Sequence, residues 1–159
     1  MTNLRKVHFF SIFIILFTVV FDQATKWSVL AFLERGEVVE ICPYVNLVLH
    51  FNFGTSFGLL SPANSMQKNM IIALTIFCVL LLIYMFFKLR SPTEKALCGF
   101  LIGGAIGNLI DRFIHGGVID FIDVYYASWH WPAFNAADFF ISSSAVLLLL
   151  CNLFSKKIR

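Results

Sequence analysis

Apolar residues gather into four long runs along the chain, and polar segments separate them. With the polar residues at their ends included, the runs extend over about 9–33, 70–89, 95–114 and 136–154. A membrane-spanning α-helix needs roughly 17–25 predominantly apolar residues. The stretch from Met70 to Phe87 contains no charge at all. The pattern predicts an all-α membrane protein with four transmembrane helices.

A different period appears between the first two runs. From Val45 to Phe53, apolar residues alternate with more polar ones, and this period of two predicts a small extended or β element. The segment Leu59–Lys68 is predicted to form a short surface helix in the same loop. The second long loop carries aromatic residues that are typical of a membrane–water interface: Tyr125, Tyr126, Trp129 and Trp131.

The composition agrees with a membrane protein of one domain, residues 1–159. Apolar residues make up 59% of the chain and charged residues 13%, whereas a typical soluble domain has roughly 45–50% and about 25%. The mean hydropathy is +0.84. A soluble protein of this size could not bury so much apolar surface. An ordinary soluble enzyme and a disordered chain are therefore excluded.

The basic residues favour one side of the predicted bundle. Eight of the twelve Lys and Arg residues lie before the first run, between the second and third, or after the fourth, whereas eight of the nine acidic residues lie elsewhere. By the positive-inside rule, both termini are cytoplasmic, and the loops at about 34–69 and 111–137 face outward. The basic residues are divided among separate juxtamembrane groups, so no nucleic-acid partner is expected. The first run is interpreted as a retained anchor, because Asp22 and Lys26 interrupt it.

This topology brings carboxylates from separate helices to one level. Asp22 lies thirteen residues after Phe9, or roughly 20 Å along the first helix at 1.5 Å per residue. Asp111 lies near the outer end of the third helix, and Asp138 opens the fourth. Because charges at this depth are costly, they are expected to face the bundle interior or a cavity.

Each of these polar residues also has a purely structural interpretation. Lys26 follows Asp22 by four residues, which suits an ion pair with the lysine snorkelling to the surface. Asn108 and Asp111 suit an interhelical hydrogen-bond pair, and Arg112 suits an interface anchor. These alternatives remain open beside a functional role.

The third helix carries two stripes of small and polar residues. The first, at a spacing of four, is typical of close helix packing and consists of Gly99, Gly103 and Gly107. The second lies about 100° around the helix and consists of Gly104, Asn108 and Asp111. Thr93 is predicted to be the N-cap of this helix.

Residues 118–138 carry further acids with ordinary structural explanations. Asn135 and Asp138 suit an N-cap with an acid at the third helical position. A carboxylate there also meets the positive end of the helix dipole. Asp120 and Asp123 alternate with apolar residues in a predicted loop, where a solvated acid is the default interpretation.

The remaining chemistry points to carboxylates. The sequence has no HExxH, no G-x-S-x-G and no phosphate-binding loop, and its histidines show no ligand spacing. A metal site with His115 and His130, or a nucleophilic pair of Ser56 and Lys26, is a minor alternative. Two aspartates that share a site cannot both ionise easily, so one keeps a proton. Such a pair can hydrolyse a peptide by general acid–base catalysis, but composition alone does not choose which two aspartates form it.

Five motifs in a fixed order give the chain a resemblance to a known family. They are Asp22-Gln-Ala-Thr-Lys26, Asn52-Phe-Gly54-Thr-Ser-Phe-Gly58, Gly103-Gly-Ala-Ile-Gly-Asn108-Leu-Ile-Asp111-Arg112, Gly117-Val-Ile-Asp120-Phe-Ile-Asp123 and Trp131-Pro-Ala-Phe-Asn135-Ala-Ala-Asp138. With these motifs the chain resembles the lipoprotein signal peptidases (signal peptidase II), which are bacterial intramembrane aspartyl proteases. Ser56, where a small alanine is common, is a minor departure.

The resemblance implies an activity and a site. It implies an aspartic endopeptidase that removes the signal peptide of diacylglyceryl-modified prolipoproteins just before the lipid-bearing cysteine, with Asp120 and Asp138 as the catalytic pair. It also implies residues that bind substrate or support the site: Asp22, Lys26, Asn52, Gly54, Gly104, Asn108, Asp111, Arg112 and Asn135.

The resemblance further implies the setting of the reaction. No metal or other cofactor is expected, and the inhibitor globomycin is expected to occupy the substrate site. The protein is expected to be a multi-pass protein of the bacterial cytoplasmic (inner) membrane, in contact with membrane lipid, with its active site toward the periplasmic or outer face. Nothing demands more than a monomer.

Two other classes of function remain as alternatives. A proton-coupled transporter or channel would carry acids spread through the membrane depth as a relay. A structural subunit of a larger membrane complex would use the glycine stripe as its interface, and replacing Asp120 by Asn would then be silent.

Overall fold

The computed structural model describes residues 2–54 and 65–157. Its elements in chain order are α1 Thr2–Phe32, β1 Val38–Cys42, β2 Val45–Asn52, α2 Ser65–Lys88, α3 Pro92–His115, β3 Val118–Tyr126, β4 Trp129–His130 and α4 Ala136–Lys157. All four helices are long and apolar enough to cross a membrane. The prediction of four membrane-capable helices is confirmed, but "all-α" needs correction because a four-stranded sheet accompanies them.

The helix starts differ from the predicted ones at three places. The first helix already begins at Thr2. The second begins at Ser65, so residues 65–68 of the predicted surface helix belong to α2, while residues 59–64 lie outside the described part of the chain. The third begins at Pro92, with Ser91 as its N-cap. The predicted cap at Thr93 is therefore wrong, because proline is favoured at the first helical position.

The glycine-rich helix α3 is the centre of the bundle and contacts each of the other three helices. A Cβ added to Gly103 would lie 2.6 Å from the Thr18 side chain, and one added to Gly107 would collide with the Asp22 carboxylate. The predicted role of this stripe in close helix packing is confirmed. Gly104 faces α4 instead, where an added Cβ would lie 2.8 Å from the Ala137 carbonyl oxygen.

These contacts also fix the helix directions. Along α3, successive glycines meet successively later residues of α1, so α1 and α3 run parallel. Helices α2 and α4 run the opposite way, and the sheet segments connect the helices at one end of the bundle. We call this the sheet end. The opposite end, which we call the basic end, carries Arg5, Lys6, Lys88, Arg90 and Lys95.

The sheet is antiparallel with the order β1-β2-β3-β4. The extended element predicted in the first long loop is confirmed as β1 and β2, whereas β3 and β4 were predicted as loop. Ile119 and Phe121 of β3 pack with Leu49 of β2 and Val29 of α1 in a buried cluster. Since side chains alternate along a strand, Asp120 faces away from this cluster.

Candidate active site

Five elements deliver polar side chains to the sheet end of the bundle. The residues that meet there are Asp22 and Lys26 of α1, Asn52 of β2, Asn108 and Asp111 of α3, Asp120 of β3, and Asn135 and Asp138 at the start of α4. The sequence prediction that carboxylates from separate segments reach one layer is confirmed.

Lys26 lies at the centre of a buried ion triad. Its Nζ is 2.7 Å from Asp22 Oδ2 and 2.8 Å from Asp111 Oδ2, and it donates to Asn108 Oδ1 at 2.8 Å. The predicted pair with Asp22 is confirmed. The predicted snorkelling is wrong, because Lys26 is only 1% exposed. A buried ammonium needs several polar partners, and the interior supplies three.

The triad also holds the start of α4 and of β3. Asp22 Oδ1 accepts a hydrogen bond from the Ala137 amide at 2.9 Å, and this amide belongs to the first turn of α4, where amides lack intrahelical partners. Asp111 Oδ2 accepts from the Ile119 amide at 3.1 Å. Gln23, which the sequence analysis did not single out, donates to Asp111 Oδ1 at 2.8 Å.

Asp120 is buried in β3 and is held by two amide side chains. Its Oδ2 accepts from Asn52 Nδ2 at 3.0 Å, and its Oδ1 accepts from Asn135 Nδ2 at 2.8 Å. The solvated-loop interpretation of Asp120 is therefore wrong. Burial raises the pKa of this carboxyl to about 6; the nearby Asp138 charge adds to the rise, and the two amide hydrogen bonds oppose it.

Asp138 combines a capping role with a place beside Asp120. Its backbone amide donates to Asn135 Oδ1 at 3.0 Å, while its Oδ2 accepts from the Asn135 amide at 3.3 Å. This reciprocal pair is a capping box, so the capping interpretation of Asn135 and Asp138 is confirmed. The other oxygen, Oδ1, accepts from Asn108 Nδ2 at 2.8 Å and connects Asp138 to α3.

Asn108 and Asn135 connect the ion triad with the second pair of aspartates. Asn108 Oδ1 accepts from both Lys26 and Asn135 Nδ2, the latter at 3.1 Å. The Asn135 amide nitrogen therefore contacts Asn108, Asp120 and the Ile119 carbonyl. The predicted interhelical hydrogen bonds of Asn108 and Asp111 are confirmed, because Asn108 donates to Asp138 of α4 and Asp111 accepts from Gln23 of α1.

Arg112 and Gly54 shape the edge of the site. Arg112 is half-buried and its Nη1 donates to the Asn108 carbonyl at 3.1 Å. Gly54 has φ +80°, and its amide donates to Asn52 Oδ1 at 2.9 Å. A Cβ at Gly54 would lie 2.6 Å from the end of the Ile71 side chain of α2, and the positive φ is the conformation that favours glycine here.

The two aspartates each line an open cleft. Asp138 lines a cleft of about 560 Å³ whose other walls are largely apolar: Trp131, Phe134, Phe139 and Ile141. Asp120 lines a second cleft of about 480 Å³ with His50, Phe51, Asn52 and Phe53. Pro132 and Ala133 line both clefts, so the clefts adjoin.

Asp123 differs from the other aspartates. Its oxygens accept from Asn46 Nδ2 at 2.9 Å and from His130 Nδ1 at 2.9 Å. Although burial opposes ionisation, these hydrogen bonds hold the pKa of Asp123 below its ordinary value. Its predicted place in a solvated loop is wrong, because it lies buried in β3.

The minor alternatives find no support in the described geometry. Within residues 2–54 and 65–157, no three His, Cys, Asp or Glu side chains are arranged to hold a metal ion. His115 packs against aromatic rings of Trp27 and Phe51. Ser56 lies outside the described residues, and Lys26 is engaged in the ion triad.

Comparisons with known proteins identify one family. The family model described as signal peptidase (SPase) II matches residues 14–154. A lipoprotein signal peptidase of Polynucleobacter necessarius subsp. necessarius is 38% identical over 152 residues, which are 94% of this chain and 91% of that protein. One of Burkholderia thailandensis is 41% identical over 135 residues, 84% of this chain and 81% of that protein.

Solved structures agree with this result. One described as a bacterial membrane enzyme solved by the in meso method at 2.3 Å resolution matches with a TM-score of 0.81 and 31% identity, over 94% of this chain and 90% of that one. A second with the same description, at 1.9 Å, gives a TM-score of 0.79 and 32% identity, over 90% of this chain and 92% of that one.

Proposed function

Since this chain belongs to the signal peptidase II family, we propose that it is a lipoprotein signal peptidase of the aspartic type. Its substrate is a diacylglyceryl-modified prolipoprotein, which it cleaves just before the lipid-bearing cysteine. Asp120 and Asp138 are the catalytic pair. The observation that carries this assignment is that neutral amides hold both carboxyl groups, each of which lines an open cleft.

The surroundings of the pair support a division of labour. Burial raises the pKa of Asp120 to about 6, which favours Asp120 as the group that keeps the shared proton. Asp138, in the first turn of α4, is then the partner that acts as the general base, and protonated Asp120 polarises the scissile carbonyl.

The reaction needs only water as a co-reactant. Asp138 removes a proton from water, and the water oxygen attacks the carbonyl carbon. Asp120 keeps its proton and donates a hydrogen bond to the carbonyl oxygen. When the carbon–nitrogen bond breaks, the leaving amine takes one proton from the pair. The pair thereby returns to its state with one proton.

The other residues that the family resemblance implies support this chemistry in distinct ways. The ion triad holds α1, α3, α4 and β3 in place around the pair. Asn52, Asn108 and Asn135 orient the carboxyl oxygens, and Arg112 fixes the Asn108 backbone. Gly54 and Gly104 permit close approach of neighbouring segments.

The orientation in the membrane follows from the charges. The basic end faces the cytoplasm together with both termini, and the sheet end faces the periplasmic or outer side of the bacterial cytoplasmic membrane. Exposed aromatic residues at the sheet end, including Tyr126, Trp129 and Trp131, suit contact with lipid headgroups and acyl chains. The clefts beside the pair are the site that globomycin occupies.

A cleavage assay tests the proposal. Purified protein in detergent is given a diacylglyceryl prolipoprotein, and Asp120→Asn and Asp138→Asn are compared with Glu40→Gln, an exposed carboxylate of the same sheet. We expect both dyad variants to lose activity by roughly 10² to 10⁴, the contribution of a general acid or base, and Glu40→Gln to match the wild type. Thermal melting verifies that each variant is folded.

The outcomes separate the alternatives. Cleavage by the wild type and loss in both folded variants would remove the transporter and the structural-subunit interpretations. A folded variant with near-normal activity would show that its residue is not half of the pair.

A further inference from the structure

One carboxylate outside the reaction centre connects three strands of the sheet. Asp123 of β3 accepts from Asn46 of β2 and from His130 of β4, at 2.9 Å in both cases. We call these three residues the Asp123 clamp. The His130 ring also stacks on Tyr125, with 5.4 Å between ring centroids. The side chains of two neighbouring strands thus converge on the middle one.

The clamp lies at the start of the connection to α4. Strand β4 has only two residues and pairs with β3 through two residue pairs. The chain after His130 then follows β3, because the Trp131 amide donates to the Val124 carbonyl at 2.8 Å and the Phe134 amide to the Ile122 carbonyl at 3.0 Å. The connection ends at Asn135, which contacts Asp120 and caps α4.

The clamp is therefore connected to both members of the proposed catalytic pair. Asp120 precedes Asp123 by three residues on one strand, or about 10 Å at 3.4 Å per residue. Asp138 follows the connection that His130 opens. The placement of this connection on β3 sets the separation of the two carboxyl groups.

The clamp suits positioning better than bulk stability. The His130 side chain is 53% exposed, and even a charged pair with an exposed partner contributes little to the free energy of unfolding. A misplacement of about 1 Å at a reaction centre, in contrast, can lower a rate by as much as about 10²-fold. A small local change at His130 is thus expected to affect the rate more than the fold.

We propose that Asp123 and His130 are positioning residues for the peptidase reaction, because they fix the β4–α4 connection and thereby the separation of Asp120 and Asp138. This inference rests on the proposed function. Neither residue touches the reacting atoms. Asn46 supports them by holding the second Asp123 oxygen.

The test compares His130→Ala with His130→Asn in the full-length protein. The amide nitrogen of asparagine takes the place of Nδ1, so His130→Asn keeps the donor to Asp123. We expect His130→Ala to lower kcat about 10-fold, with KM changed less than about twofold and Tm nearly unchanged, and His130→Asn to recover most of the lost kcat. Glu40→Gln is the matched exposed control.

The outcomes distinguish this inference from the function on which it rests. A wild-type protein that does not cleave the lipidated substrate overturns the proposed function and the positioning role with it. If the wild type cleaves and His130→Ala has an unchanged kcat, the positioning role alone is overturned. The same holds if kcat falls only together with Tm and His130→Asn restores neither.

Discussion

Two pairs of aspartates lie side by side at the sheet end, and their partners differ in charge. The first pair, Asp22 and Asp111, shares the ammonium group of Lys26, with distances of 2.7 and 2.8 Å. We call it the lysine-bridged pair. The ammonium lies between the two carboxylates and connects their helices, α1 and α3.

The second pair, Asp120 and Asp138, has neutral partners. Among the described side chains, no lysine or arginine nitrogen lies within 4.0 Å of either carboxyl group. The donors are amides of Asn52, Asn108 and Asn135. We call it the amide-held pair. Amides orient the oxygens without carrying a charge of their own, and under the proposed assignment the pair shares one proton.

One residue type thus has two kinds of surroundings in one layer. Under the proposed assignment, the aspartates bridged by a cation are structural, whereas those held by neutral donors take part in proton transfer. Asn108 contacts both pairs and separates the two environments.

The largest effect is expected from removing the cation of the lysine-bridged pair. Lys26→Met leaves two buried carboxylates without a counterion, and breaking a buried ion pair in this way costs about 3–5 kcal/mol. For a chain of this size we expect Tm in detergent to fall by about 10 °C. Lys6→Met, an exposed lysine on the same helix, is the control and is expected to melt like the wild type. Equal melting of both variants would contradict the structural role of the triad.

The second prediction concerns the proton on the amide-held pair. Burial raises the pKa of Asp120 from 3.8 to about 6, so the folded state binds this proton more tightly than the unfolded state. The resulting stability is fully present below about pH 4 and is lost as the pH rises through about 6. This rise in pKa corresponds to roughly 3 kcal/mol in the free energy of unfolding at low pH.

Thermal melting between pH 4.5 and 8 measures this effect. We expect the wild-type Tm to decrease across pH 6 relative to that of Asp120→Asn, which cannot titrate there. Parallel curves for the two proteins would show that Asp120 does not hold the proton.

The smallest effect is expected from a single amide donor. Asn52 donates to Asp120 and favours its ionised form, so Asn52→Ala should raise the pKa of Asp120 further. We expect the midpoint of the pH–activity profile of this variant to move upward by up to about one pH unit. One hydrogen bond of about 1.4 kcal/mol would give a shift of this size. Asn46→Ala removes the corresponding donor from Asp123 and should leave the midpoints of the profile in place. A shift in both variants would contradict a local effect on the pair.

Local sequence patterns predict much of the fold and of the candidate site. Long apolar runs predict the four helices because a bilayer demands continuous apolar length. The helix rise of 1.5 Å per residue predicts that Asp22 reaches the level of Asp111 and Asp138. The capping box of Asn135 and Asp138 is visible in sequence because its partners are three residues apart.

The wrong predictions concern residues whose partners are distant in sequence. Lys26 stays buried because it forms an ion pair with Asp111 and a hydrogen bond with Asn108, both on α3. The spacing of residues within α1 cannot predict these partners. The segment Val118–Tyr126 was predicted as a loop because acids interrupt its apolar residues. Those acids are satisfied by amides from β2 and from the start of α4.

The hydrogen bonds of three further side chains were not predicted, for related reasons. Gln23, Asn46 and His130 form their hydrogen bonds only after helices and strands have come together. A signal existed for two of them. Gln23 adjoins an aspartate that had already been placed inside the bundle, and Asn46 belongs to the alternating segment that predicted β2.

Asn135 belongs at once to the first turn of α4 and to the set of donors around Asp120. A chain under synthesis exposes β3 before α4 exists, so Asp120 at that stage lacks both this donor and its partner carboxyl group. Under the proposed assignment, a three-helix intermediate in the insertion machinery has no hydrolytic centre. Under the same assignment, proteolytic activity begins only when the last helix has been inserted.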